Sequence, residues 1–401
     1  FKNNSFIILN LHLIHTFLSS ATLCHVLSVV LYFFFFNILI VLYYKRLITQ
    51  ILYKMFKILV TGSSGFVGEE LVDKLTKSNH SVIGIDNFEP SDPEKKKYEL
   101  KNFFFEKADI RNNLKNLDEI FKKYKPQIIV HCASKILDTN DKKVVWDTNY
   151  FATRDILKLS IEHKIKKFIF VSTFSIFQKS YNFPVDENEP PSYKTVYGET
   201  KFKTEKLIME SKFEGDICIL RCPIILGKHR SFRFGVLFSM IKNNFNVPLI
   251  GECKNKISFV HVADVCKAIE LFFNVNGKYI FNVAADESEE FQLILTRLIN
   301  KTNSKSKLRF FNKFLGNLLF DIAVFFRLIP YTSYHRKIFN YSIVLNTSKI
   351  KKVLKWKPDY SIEKMFYENY LNFDKVKNEN LDSFSKKKAK EGLIGIIKYF
   401  I

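Results

Sequence analysis

Tyr197 and Lys201 stand four positions apart in Tyr197-Gly198-Glu199-Thr200-Lys201. On a helix that spacing puts both side chains on one face, one turn apart. A phenol is a poor base at neutral pH because its unperturbed pKa is about 10. A neighbouring ammonium favours the phenolate and brings proton removal towards the operating pH. The pair can therefore take the proton of a hydroxyl group. Read alone, the pattern equally describes a solvated helix face, so its weight depends on its surroundings. Twenty-four residues before Tyr197, the apolar run Phe168 to Val171 reads as a buried strand and ends in Ser172-Thr173.

Near residue 60 a strand must feed a helix. Lys57 to Thr61 is a short β-branched run, and it enters Gly62-Ser63-Ser64-Gly65-Phe66-Val67-Gly68 ahead of a helical pattern with Val67, Leu71, Val72 and Leu75 on one face. The three glycines have separate tasks. Gly62 permits the tight turn, Gly65 lets the backbone approach a pyrophosphate, and Gly68 allows close helix packing, while the helix start supplies amide donors and partial positive charge. Gly62, Gly65, Phe66, Val67 and Gly68 are thus candidate cofactor-binding residues. A second strand, Ser81 to Ile85, ends in Asp86, eighteen residues past Gly68. A carboxylate there accepts both ribose hydroxyls and repels a 2′-phosphate, favouring NAD over NADP. A turn residue before Asn87 is the plain alternative for Asp86.

With its TGxxGxxG spacing and the downstream Tyr-Lys pair, the chain resembles the extended short-chain dehydrogenase/reductases, the group that contains NAD-dependent sugar-nucleotide epimerases and dehydratases. The likeness runs from about Met55 to about residue 375. It implies that Asp109 holds the adenine amino group and Ile110 packs on the ring. It implies that Ala133 and Ser134, in His131-Cys132-Ala133-Ser134, lie along the cofactor ribose, and that Asn149 opens a central helix. Without that ordered set, Asp109 reads as a cap, His131 as a satisfied core histidine and Asn149 as a helix-packing residue. The resemblance further implies that Tyr197 removes the hydroxyl proton while hydride leaves for NAD. In it Lys201 also reaches the nicotinamide ribose, and Thr173 hydrogen-bonds and orients the reacting oxygen. The strand from Cys218 and the loop with Pro223 would touch the nicotinamide. Phe259-Val260-His261-Val262-Ala263-Asp264-Val265 matches a later family segment in which Asp264 is structural, and Phe281-Asn282-Val283 and Trp356-Lys357-Pro358 extend the match. A homodimer through a helix bundle is implied as well.

Departures from the family pattern bear on substrate. Phe174-Ser175 follow Thr173 where 4,6-dehydratases carry Asp-Glu for water elimination, which argues against a dehydratase. Ile224 stands where many nucleotide-sugar epimerases have an Asn for the sugar diphosphate, and Ile257 where several have an Arg. Lys228, His229, Arg230, Arg233, Lys254 and Lys256 are close enough in sequence to replace that charge, and Phe177-Gln178 replaces Tyr-Gly. The stretches 178–195, 228–257 and 285–375 would build the substrate lobe. The apolar, aromatic segment 310–330 is interrupted by Lys313, Asp321 and Arg327; it reads as an amphipathic helix of that lobe, or as a site for an apolar substrate of the kind that sterol and flavonol reductases take.

The chain has 401 residues and a net charge of +22. The excess of Lys, Asn, Ile and Phe looks like the coding bias of an AT-rich genome, the lysines are dispersed, and no recognition motif accompanies them, so no nucleic-acid partner is expected. The field would steer an anionic substrate. Six cysteines form no CxxC pair and no metal-ligand spacing with the nine histidines, so no metal is expected and the usage is that of a reducing, intracellular protein. Cys218 and Cys222 would share one strand face as small core residues.

Residues 1–54 stand apart. From Asn3 to Tyr44 there is no Asp, Glu, Lys or Arg, and residues 26–44 are apolar except Ser28 and Asn37. That is just enough to span a bilayer, and Lys45-Arg46 would leave the rest in the cytoplasm. The competing reading is upstream sequence ahead of a domain that starts at Met55. The catalytic domain would be cytoplasmic in both, with membrane a partner only in the first. Residues 376–401 read as a basic tail.

The expected fold is α/β: a Rossmann-type doubly wound parallel sheet with a small C-terminal substrate-binding lobe. The expected activity is NAD-dependent epimerisation of a nucleotide sugar. A dehydrogenase or reductase of an alcohol or ketone is the alternative, and a non-catalytic nucleotide-binding protein would have lost Thr173, Tyr197 or Lys201.

Overall fold

Short β-branched runs separated by amphipathic ones build the centre of the molecule. The computed structural model describes residues 28, 31–32, 34–42, 55–89, 101–111, 113–136, 141–228, 234–325 and 341–379. Its strands are β1 Lys57–Thr61, β2 Ser81–Asp86, β3 Phe103–Lys107, β4 Ile128–His131, β5 Lys167–Thr173, β6 Asp216–Cys222, β7 Ile224–Leu226, β8 Val247–Ile250, β9 Phe259–His261, β10 Lys278–Asn282 and β11 Leu308–Phe311. Seven of them form one sheet in the order β10-β6-β5-β4-β1-β2-β3, every pair parallel. The expected doubly wound sheet is therefore present, and the order reverses between β1 and β4. Such a switch point opens a crevice at the carboxyl ends of the strands.

Both faces of this sheet are covered, so its strands alternate between two apolar cores. Ile58 and Val60 of β1, Ile128 and Val130 of β4 and Cys218, Leu220 and Cys222 of β6 enter one core with Leu71 and Leu75 of helix α1 (Phe66–Lys77). Leu59, Ile129, Phe168, Phe170 and Ile219 enter the opposite core with Phe121 of helix α2 (Leu114–Tyr124). Truncating a fully buried side chain such as Leu59 to Ala costs about 2–5 kcal/mol by cavity formation. The expected shared face for Cys218 and Cys222 is observed, and the described cysteines are free thiols.

Helix α3 (Lys142–Trp146) passes through a single π turn, Asp147–Phe151, into α4 (Ala152–Glu162), α5 (Val196–Met209) follows β5, and α6 (Gly235–Lys242), α7 (Val262–Phe272) and α8 (Phe291–Lys301) come after it. A third core gathers Phe177, Val185, Phe234, Phe238, Phe259, Phe291 and Phe366 from loops, helices and β9 beyond β5. Two small parallel pairs, β7 with β9 and β8 with β11, belong to this region. The last described helix, Ile362–Glu379, runs four residues past the expected boundary at 375, and residues 380–401 of the expected tail lie outside the described residues.

Residues 1–55 form a separate unit. Of the expected span 26–44, residues 28, 31–32 and 34–42 are described and helical. Among the described residues no helix is long and apolar enough to cross a membrane.

Candidate active site

The glycine turn between β1 and α1 is shaped by close backbone approaches. Gly62 has φ +69, and a Cβ there would lie 2.7 Å from the Ala133 amide nitrogen. Its own amide donates to Ile85 O at 2.8 Å, tying the turn to β2. A Cβ on Gly68 would fall 2.0 Å from Gly62 O, so α1 can rest on the turn only as glycine. No side chain caps the α1 N-terminus at Gly65, which leaves a helix start of the kind that receives phosphate. Val67 is buried in the core, while the Phe66 ring would meet a Cβ on Gly227 at 3.1 Å. That brings the loop after β7 against the glycine turn.

Asp86 closes β2 beside this turn. Its Oδ2 accepts from the Ser64 amide at 3.0 Å and its Oδ1 from the Phe88 amide at 3.1 Å. Burial raises its pKa against those amides. Asp109 lies beyond β3, where its carboxylate accepts from the Arg111 amide at 2.9 Å and takes Arg111 Nη2 at 2.6 Å. The Arg111 guanidinium holds its pKa below the usual range. Ile110 beside it is buried.

At the end of β4, His131 is enclosed. Its Nδ1 meets Thr61 Oγ1 at 2.6 Å and its Nε2 meets Thr153 Oγ1 at 2.8 Å. Burial, with the nearby Lys201 charge, pushes its pKa down to about 3, so the ring stays neutral. The satisfied-core reading of His131 holds. Thr61 Oγ1 also accepts from the Ala133 amide at 3.4 Å, joining β1 to the segment that carries Ala133 and Ser134. Ser134 Oγ donates to Asn149 Oδ1 at 3.2 Å. Asn149, at the middle of the π turn, also accepts from the Lys135 amide at 2.8 Å and donates to Thr200 Oγ1 at 3.1 Å. It thereby links the β4 loop to the helix that carries Tyr197 and Lys201.

That helix, α5, begins at Val196 because Thr195 caps it, accepting from the Gly198 amide at 3.2 Å. Gly198 is needed too, since a Cβ there would come within 2.4 Å of Ser175 O. The contact presses the first turn of α5 onto the end of β5. Tyr197 and Thr173 are each 7% exposed, and Lys201 is 1% exposed. Thr173 Oγ1 accepts from the Ser175 amide at 3.1 Å. Lys201 Nζ donates to Val171 O at 2.6 Å and lies 3.8 Å from the centre of the Phe170 ring. Burial lowers the Lys201 pKa to about 7, opposed by the carboxylate of Glu205. Pro223, between β6 and β7, is buried.

Two residues absent from the sequence expectations complete the inner face. Glu205 lies one turn beyond Lys201, and its Oε2 accepts from Arg221 Nε at 3.0 Å and Nη2 at 2.8 Å. Both side chains are almost fully buried, and Ser172 Oγ donates to the other carboxylate oxygen. Arg221 Nη1 reaches Glu187 O at 2.8 Å. The pair joins α5, β5, β6 and the 178–195 segment. Asp264 ties its helix to the C-terminal segment: its Oδ1 accepts from the Asp359 amide at 2.8 Å, and its carbonyl accepts from Trp356 Nε1 at 3.0 Å.

The cations expected to stand in at the diphosphate positions are partly committed elsewhere. Lys254 pairs with Glu252 at 2.7 Å, and Lys228 lies 3.7 Å from Glu368. His229, Arg230 and Arg233 lie outside the described residues. Ile224 and Ile257 are both buried in the third core.

Strand order, switch-point crevice and glycine turn define a Rossmann-type protein of the extended short-chain dehydrogenase/reductase class. The comparisons with known proteins narrow this. The model of the NAD dependent epimerase/dehydratase family matches residues 58–284, and the chain belongs to that family. It is 31% identical over 235 residues, 56% of its length, to a putative UDP-glucose 4-epimerase of Methanocaldococcus jannaschii, covering 75% of that protein. It is 26% identical over 347 residues to an uncharacterized protein, y4nG, of Sinorhizobium fredii, covering 85% of both chains. In fold it is similar to the UDP-glucuronic acid 4-epimerase of Bacillus cereus in complex with NAD. The TM-score is 0.65 at 21% identity, covering 80% of this chain and 99% of the other.

Proposed function

We propose that the protein is an NAD-dependent epimerase acting on a nucleotide sugar. The observation that carries this is the placement of the buried Lys201 ammonium at the carboxyl end of β5, on the helix of Tyr197 and joined through Asn149 to the loop of Ala133 and Ser134. The relatives named as epimerases support the reaction class.

The residues fit a bound NAD. Gly62, Gly65, Phe66, Val67 and Gly68 would hold the pyrophosphate at the uncapped start of α1. Asp86 would receive the adenosine ribose, which must compete with the Ser64 and Phe88 amides for its carboxylate. Asp109 and Ile110 would border the adenine, Ala133 and Ser134 the inner ribose, and Pro223 the nicotinamide. When bound, NAD supplies a hydride acceptor that returns what it takes. Tyr197 takes the proton from the sugar hydroxyl, Thr173 holds the same oxygen in place, and Lys201 offsets the charge that develops on the phenol. The proton and hydride would both return, the hydride to the opposite face of the sugar carbonyl, so the product would be an epimer.

One observation favours a second reading, a dehydrogenase or reductase of a less polar alcohol or ketone. Ile224 and Ile257 turn apolar the places where many nucleotide-sugar epimerases carry Asn and Arg, and both are packed into core. In that case the cofactor would leave the enzyme with each turnover, reduced after oxidation of an alcohol and oxidised after reduction of a ketone.

Tyr197→Phe tests the shared mechanism. Removing a general base costs about 10²–10⁴-fold in rate, so turnover should fall by that factor while NAD binding, read by fluorescence titration, stays unchanged. Undiminished turnover would contradict the role given to Tyr197.

A further inference from the structure

The segment after β11 carries an apolar surface that is exposed among the described residues. Helix α9 (Lys313–Phe325) follows β11. At 3.6 residues per turn, Phe314, Leu318, Ile322, Leu315 and Leu319 fall on one stripe roughly 140° wide. All five are exposed, Phe314 to 80%, and Phe310 and Phe311, on opposite faces of β11, are 50% and 41% exposed. The helix meets the body on another side, where a Cβ on Gly316 would lie 3.0 Å from the Ile250 side chain. Seven large apolar side chains within thirteen residues is more than the scattered exposure normal at a protein surface.

The charges around the stripe say what would cover it. Between residues 302 and 325 the cations are Lys305, Lys307, Arg309 and Lys313, and the sole carboxylate is Asp321. All four cations are exposed, and among the described residues their side chains have no ion-pair partner. A second copy of the chain docked face to face would set one net-positive patch against another, since an isologous contact uses the same patch on both copies. An anionic lipid surface has the opposite sign and accepts aromatic and leucine side chains at the depth of its headgroups.

We propose that the α9 stripe docks the enzyme onto the surface of an anionic bilayer, lying in the interface without crossing it. Apolar insertion and electrostatic attraction act together in such contacts, so both lipid charge and salt should modulate binding.

The test uses the full chain. A Phe314→Trp variant mixed with vesicles of phosphatidylcholine and phosphatidylglycerol in equal parts should show a blue-shifted emission that brominated acyl chains quench, with little change on pure phosphatidylcholine. Phe314→Glu with Leu318→Glu should lower partitioning onto the mixed vesicles by about ten-fold or more, since insertion is lost and only non-specific adsorption remains. Phe314 is almost fully exposed, so circular dichroism should show an unchanged fold. Emission unaltered by vesicles would overturn the proposal. So would equal partitioning of the parent and the double glutamate variant, which would place the contact on residues 1–54 or on general charge. A blue shift that grows with protein concentration alone, without lipid, would overturn it in favour of a second copy.

Discussion

Lys201 donates to the Val171 carbonyl at 2.6 Å, so the helix bearing the ammonium is latched to the strand that ends in Thr173. The latch is made by a lysine that burial has brought to a pKa of about 7, from 10.5 for the free side chain. Such a group sits close to its own titration point at neutral pH, and small changes in its surroundings move its charge.

The Lys201 shift sets a stability dependence on pH. The unfolded chain binds more protons than the folded one between about pH 7 and 10.5, so the contribution of this group becomes more favourable as pH rises through that window. Lys201→Met removes the titration. In urea denaturation the variant should exceed the parent most below pH 7, and the gap should narrow by at most about 1.4 kcal/mol per pH unit above it. A gap that stays constant from pH 6 to 9.5 would refute the buried, depressed lysine.

Glu205 and Arg221 form a pair whose halves cannot be removed separately. Arg221→Met leaves the Glu205 carboxylate buried without its guanidinium, at a cost of about 3–5 kcal/mol. Glu205→Leu combined with Arg221→Met should recover much of that loss. Urea midpoints for the two single variants and the double variant, compared in a cycle, check the coupling, and purely additive losses would speak against it.

Gly68→Ala places a methyl group 2.0 Å from Gly62 O. The helix must move away from the turn, so both thermal stability and NAD affinity should fall. Gly251 has no atom within 4 Å of an added Cβ, yet its φ of +68 makes Gly251→Ala a test of backbone strain alone. It should lower the melting temperature modestly and leave NAD affinity as it was.

Asp86 lies at the ribose end of the proposed cofactor site. Asp86→Ser removes the carboxylate that would repel a 2′-phosphate and accept the ribose hydroxyls. Equilibrium titration should show weaker NAD binding and a smaller gap between NAD and NADP. An unchanged preference would place the ribose elsewhere.

The sheet was legible because a parallel strand buried on both faces reads as a continuous β-branched run, as in Lys57–Thr61 and Lys167–Thr173. Local spacing also made the glycine turn and the Tyr197–Lys201 helix legible. The Glu205–Arg221 pair was not, since its members lie sixteen residues apart on different elements and only packing of α5 on β6 unites them. Glu205 did carry one signal, its position one turn after Lys201. The role of Asn149 as a bridge from the β4 loop to α5 depends on a π turn that residue type alone does not announce. The exposed stripe of α9 was read as an amphipathic helix, but which side of it faces the lobe is decided by the seat of Gly316 on Ile250.

The central claim is that hydride is taken and returned within one turnover on a nucleotide sugar. The direct measurement incubates the protein with NAD and a panel of UDP- and dTDP-linked sugars, resolving sugars by chromatography while absorbance of NADH is followed. An epimerase should yield an isomeric nucleotide sugar with no accumulating NADH. NADH rising in step with product would contradict the claim and identify a dehydrogenase.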